Sequence, residues 1–192
     1  MEENASGILY SYDARRYLFD VRIPAVLSAV AIPTATLMIA TRFLVPVALI
    51  FLIVSAYTLF NTLIARTYPA TASLDDNALT FYSFGRTDVY PLDEIQRLQV
   101  RENRTTLSAY VRINGGGILR GRYFVGCGDM HDVSGNNAER LYRFFLETEA
   151  RLDPDNLRVR ARAVEARKAA GLEDDAADKT RPESRRHQRK KK

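Results

Sequence analysis

Residues 23–65 read IPAVLSAVAIPTATLMIATRFLVPVALIFLIVSAYTLFNTLIA, an almost unbroken apolar run with one charge, Arg42, near its middle. A transmembrane helix needs about 20 mostly apolar residues to cross a hydrocarbon core of about 30 Å. This run is about twice that length, too long for one crossing at ordinary tilt. Arg42 divides it into Ile23–Ala40 and Phe43–Ala65, each close to one span. A charge at the bilayer centre costs at least about 2.5 kcal/mol, so Arg42 belongs at an interface, with a turn at Thr41–Arg42. Pro46 then falls in the first turn of the second helix, where a missing N–H does no harm. Pro24 suits a helix start in the same way, and the internal Pro33 predicts a kink. A soluble helical hairpin would need a polar face that neither half supplies. A cleaved signal peptide would leave the second half unexplained.

Working outward, Arg15, Arg16 and Arg22 precede the run and Arg66 follows it, while only Arg42 marks the tip. The excess of basic residues at the base places both termini in the cytoplasm of a cell-membrane protein with two spans. Tyr10, Tyr12, Tyr17, Phe19, Tyr57 and Tyr68 have the distribution of interfacial aromatic anchors. Residues 1–22 form an N-terminal segment that suits either an interfacial helix or an extra strand over Ile8–Val21, and the pattern leaves both open. Asn61, inside the second span, suits either a hydrogen bond across helices, favouring a homo-oligomer, or a watery interface position.

Beyond the Thr67–Pro69 linker the hydrophobic period changes to two. Thr71–Leu74, Ala78–Phe84, Thr87–Tyr90, Ile95–Arg101, Leu107–Ile113 and Ile118–Val125 make about six short strands separated by turn signals, which argues for an antiparallel sandwich or barrel. Asn136 with Glu139 resembles a helix cap, and Leu141, Phe144, Phe145, Ala150 and Leu152 form the stripe of a covering helix. The domain thus runs over residues 70–152. Residues 153–171 hold a charged helix pattern, and residues 172–192 are acidic, then basic, with a composition suited to disorder.

The net charge of +5 belongs to the end of the chain. The last twelve residues hold seven Lys and Arg and one Glu, net +6, which leaves the remainder at −1. This tail reads as a solvated end without a dedicated partner. If it acts, membrane tethering makes anionic lipid the nearest polyanion and ranks nucleic acid behind it. The single cysteine, Cys127, allows no internal disulfide.

A two-helix hairpin followed at once by a β domain carrying Gly85–Arg86 and Tyr90–Pro91–Leu92–Asp93–Glu94–Ile95, then an amphipathic helix, resembles the bacterial pleckstrin-homology-like membrane proteins. The resemblance spans about residues 22–151. It implies a barrel-like sandwich of seven strands capped by a helix, with no enzymatic activity and no cofactor. Against the six strands read here, one is missing. The Gly126–Asn137 loop is longer and richer in glycine and aspartate than the resemblance implies.

The chemistry-bearing residues give three readings. Arg15, Arg16, Arg66, Arg112, Arg120 and Arg122 could form a cationic face toward anionic head groups, making membrane lipid and an unidentified protein the expected partners. Cys127 and His131 are the residues for a thiol–imidazole enzyme or, with Asp129 and Asp132, a metal site, but a lone Cys/His pair is a weak signal. Gly115–Gly117 lacks the Lys–Ser/Thr of a phosphate loop and reads as a turn. The basic tail is the alternative nucleic-acid tether.

Overall fold

The computed structural model describes residues 7–169, so the disordered-tail reading of residues 172–192 lies outside the described residues. The chain divides after Leu152 into two units.

The first unit opens with a strand, β1 (Ile8–Tyr12). Asp13 then caps a helix: its carboxylate accepts from the amides of Arg15 at 2.8 Å and Arg16 at 3.4 Å. Helix α1 (Ala14–Tyr17), a π turn at Leu18–Arg22 and helix α2 (Ile23–Ala40) run on without a break. Pro24 stands in the first turn of α2, as its position in the sequence suggests. It follows the π turn, where Ile23 N–H reaches back to Leu18 O, and this widened turn absorbs the missing proline donor. The connection Thr41–Leu44 holds Arg42 at φ 56° and Leu44 at φ 45°. Helix α3 (Val45–Leu59) has Pro46 in its first turn, as expected, and continues through a second π turn, Phe60–Ile64.

The two helices, Ala14–Ala40 and Val45–Ile64, are long and apolar enough to cross a membrane, and few of their residues are buried by the rest of the protein. They meet along small residues. Ser28 and Ala35 are buried seven residues apart on the first helix, and Ala48, Ser55 and Thr62 are buried at the same spacing on the second. Such residues let two backbones approach closely where no water drives them together. The large side chains, Leu27, Val30, Leu37, Ile50, Phe51 and Ile53, point outward.

The chain then enters β2 (Thr71–Leu74), β3 (Ala78–Ser83), β4 (Arg86–Pro91), β5 (Leu98–Asn103), β6 (Ser108–Ile113), β7 (Arg122–Gly126) and β8 (Met130–His131). Two antiparallel sheets result, one in the order β4-β3-β2-β1-β8 and one in the order β5-β6-β7. Among the described residues no sheet closes into a barrel. The strands missing from the sequence reading are β1, whose partner β2 lies beyond the whole hairpin, and the two-residue β8 in the glycine-rich loop. The open alternative for the N-terminal segment resolves into both halves: Ile8–Tyr12 is strand and Ala14–Arg22 is helix. Phe84 and Gly85, at φ 44° and 77°, make the tight β3–β4 turn that suits a right-twisted hairpin.

The two sheets and helix α4 (Glu139–Leu152) share one core: Leu79 and Phe81 from one sheet, Leu98, Val111 and Tyr123 from the other, and Leu141 and Phe145 from the helix. Phe81 stacks on Tyr123 with centroids 4.2 Å apart. Each such side chain contributes about 1.5–3 kcal/mol on burial. Fully buried Glu149 of α4 accepts the Val100 amide at 2.8 Å, tying the helix to strand β5. Asn136 lies three residues before the first residue of α4, Glu139, and its backbone N–H and side-chain amide both donate to Asp132.

The second described piece is helix α5 (Leu157–Ala169). Asn156 precedes it and accepts the Arg158 amide at 3.0 Å.

Candidate membrane-proximal site

The hairpin leaves the sheet at the end of β1 and returns at the start of β2, and these two strands are neighbours. Their register runs from Ile8↔Leu74 to Ser11↔Thr71, and Tyr12 N–H closes the ladder on Ala70 O at 2.9 Å. Both ends of the helix pair are therefore fastened to adjacent strands of one sheet.

Side chains brace this junction. The Tyr17 hydroxyl donates to Tyr68 O at 3.1 Å, and its ring meets Tyr12 edge-on at 5.6 Å. The Arg22 guanidinium lies 5.7 Å from the centre of the Tyr17 ring. Tyr68 packs edge-on against Phe124, while Phe124 N–H donates to Thr67 O at 2.8 Å. Arg16 pairs with Asp129, whose carbonyl also accepts from Asp13 N–H at 3.2 Å. Between these groups lies a cleft of about 260 Å³ lined by Tyr12, Tyr17, Tyr68, Phe124 and Asp129, among others. Burial raises the Tyr12 and Tyr68 hydroxyls above their ordinary range, so both stay protonated donors.

On the other side, Arg86 joins three elements. Its Nε donates to Asp88 Oδ2 at 2.9 Å, one terminal nitrogen to Leu119 O at 3.2 Å, and the other to Ala65 O at 3.1 Å. Ala65 is the residue that follows the second apolar helix. Asp88 is almost fully buried and also receives Arg120 Nε at 2.9 Å and the Tyr123 hydroxyl at 2.7 Å. Tyr90 completes the chain, 2.7 Å from the Tyr123 oxygen. A buried carboxylate with several charge-assisted donors offsets its desolvation far better than an unpaired one would. Burial, followed by the bonds to Tyr90 and Asp88, pushes the Tyr123 hydroxyl far up. Two guanidiniums on one carboxylate leave the cluster one positive charge in excess.

The arginines singled out from the sequence do not form one face of free cations. Arg15 is exposed in the first helical turn, and Arg16 is held by Asp129. Arg66 sits at φ 53° and turns back to Leu63 O at 3.3 Å. Arg112 donates to Gly115 O and Gly116 O, Arg122 to Ile118 O, and Arg120 to Asp88. These last three gather on the β6–β7 connection. Sequence reasoning missed Arg86, Asp88 and Asp129 as organising groups. The available signal was strand parity: Arg86, Asp88 and Tyr90 alternate together, which puts a carboxylate on the inward face of β4.

Cys127 is completely buried in the core, and burial pushes its thiol up to about 12, the opposite of what activates a nucleophile. His131 is exposed on the short edge strand β8. The structure thus separates the two by environment. Among the described residues no three His, Cys, Asp or Glu side chains gather in a way that could hold a metal ion.

No family model, no curated protein and no solved structure matches this chain.

Proposed function

We propose that this protein is a non-enzymatic membrane-anchored module. In this reading the hairpin crosses the cell membrane twice, with both termini cytoplasmic. It fixes a pleckstrin-homology-like domain against the cytoplasmic face, where the domain meets anionic lipid or a protein partner. One observation carries it: the apolar hairpin is an insertion between the adjacent strands β1 and β2. A domain tethered by one flexible linker can tumble, whereas one built around both ends of the hairpin has a fixed face toward the bilayer. The charge pattern supports the direction, since Arg15, Arg16, Arg22 and Arg66 lie at the base and Arg42 alone at the tip. The pleckstrin-homology-like assignment draws support from two antiparallel sheets around one core with a C-terminal helix packed against it.

Topology decides this reading. Because Cys127 is buried, the background is Cys127→Ala, with single cysteines introduced as Phe43→Cys at the tip and Val133→Cys on the domain, where Val133 is 96% exposed. An impermeant maleimide should label position 43 in intact cells and position 133 only after lysis. Labelling of position 133 in intact cells would overturn the orientation.

A further inference from the structure

The β6–β7 connection is a braced loop that displays apolar side chains. Its base is pinched at Gly116 and Gly121, where a Cβ on Gly116 would lie 2.4 Å from Gly121 O. Ile113 N–H reaches Gly121 O at 2.9 Å across the same point. Above the pinch, Arg112, Arg122 and Arg86 donate to the carbonyls of Gly115, Gly116, Ile118 and Leu119. The loop therefore has one shape before any partner arrives. That shape directs Ile118 and Leu119 outward, 64% and 54% exposed. The sequence pattern places Ile118 in the returning strand, but β7 begins only at Arg122, which leaves the pair outside the sheet.

Single exposed leucines are ordinary on protein surfaces. This pair is distinguished by its bracing and its position. The Leu119 and Ala65 carbonyls sit on the two terminal nitrogens of one guanidinium, that of Arg86. Just before Ala65, Leu63 and Ile64 are 48% and 56% exposed at the end of the second apolar helix. Ile118 and Leu119 are thus close to the end of the second apolar helix, and Arg112, Arg120 and Arg122 flank them along the chain.

We infer that this loop is a second membrane contact, with Ile118 and Leu119 seated in the interfacial layer of an anionic bilayer and the arginines among its head groups. Apolar side chains flanked by basic ones suit that layer, which is apolar below and negatively charged above. The inference rests on the hairpin spanning the membrane, and it turns a choice between lipid and protein into lipid for this surface.

The test uses the full chain, purified and placed in lipid nanodiscs, in the Cys127→Ala background. An environment-sensitive fluorophore is attached at Leu119→Cys and, in a second variant, at Ile118→Cys. Val54→Cys, on the outward side of α3, reports on the span, and Val133→Cys reports on an exposed point of the domain. Brominated acyl chains should quench positions 54, 118 and 119 but not 133. Quenching at 118 and 119 should deepen when phosphatidylglycerol replaces phosphatidylcholine. If position 54 is quenched while 118 and 119 match 133, the loop contact is wrong and the anchored hairpin stands. A blue shift at 119 without quenching would mean a protein contact and would also overturn it. Equal quenching in the two lipids would overturn the anionic preference. Absence of quenching at 54 would bring down the spanning hairpin, and the loop contact with it.

Discussion

The hairpin seam and the sandwich core bury opposite ends of the size range. In the seam, Ala48 and Ala35 are buried while Phe51 and Ile53 face out. In the core, Phe81, Tyr123 and Phe145 are buried. The same apolar side chains thus point away from protein in one region and into it in the other. Water accounts for the sandwich, because burying a large side chain is what stabilises it. It cannot account for the hairpin, whose outer surface is uncovered, so the seam relies on close backbone approach. In the proposed membrane-anchored reading the two regions face different solvents, and the β1–β2 junction is where the solvents change.

The sharpest way to break the contrast is to remove a large side chain from each region. Phe81→Ala should cost the β domain about 4 kcal/mol, since the ring contacts Tyr123, Tyr90 and Phe145 and no neighbour can collapse fully into its space. Phe51→Ala, at a site 58% exposed, should leave domain stability unchanged. Urea unfolding in detergent, followed by the near-ultraviolet dichroism of the tyrosines, reads both. Equal losses would mean that the outward face of the hairpin is packed on protein.

The opposite change tests the seam. Ala48 has no exposed surface, so Ala48→Leu should overpack the helix pair and destabilise it by about 2 kcal/mol. Ile50→Leu on the outward side should do nothing. The measurement is loss of helical dichroism on titration with sodium dodecyl sulfate. A tolerant Ala48→Leu would dissolve the small-residue account.

Most of this contrast was legible in the residues. Forty-three residues with a single charge announce a pair of helices long and apolar enough to cross a membrane, because length and hydropathy act locally and need no partner. The alternating strands from Thr71 to Ile113 were legible for the same reason. What escaped was non-local. Strand β1 pairs across the whole hairpin, and nothing within Ile8–Tyr12 says which distant segment completes it. The role of Asp88 depends on Arg120 and Tyr123, more than thirty residues away, which the fold brings around it beside Arg86. The apolar pair at Ile118 and Leu119 passed for strand because apolar residues at a strand start and at a loop tip read alike.

The gentlest probe is alkaline pH, which separates the two regions without a mutation. Burial raises the Cys127 thiol from 9.0 to about 12, and burial together with Glu102 raises the Tyr142 hydroxyl from 10.0 to about 12. Both groups are acids that hold their protons more tightly folded than unfolded. Their contribution to stability is therefore complete below the unfolded values and is lost as pH climbs from roughly 9 through 12. Residues 23–65 hold no Cys, His, Lys, Asp or Glu, and their one tyrosine, Tyr57, is 70% exposed. Raising the pH from 8 to 12 in detergent should therefore open the sandwich first. Cys127 should begin to react with a thiol reagent, and the near-ultraviolet signal of the tyrosines should fade, while the helical signal of the hairpin persists. A single transition taking both signals together would show that the junction at β1 and β2 couples the two regions into one cooperative unit.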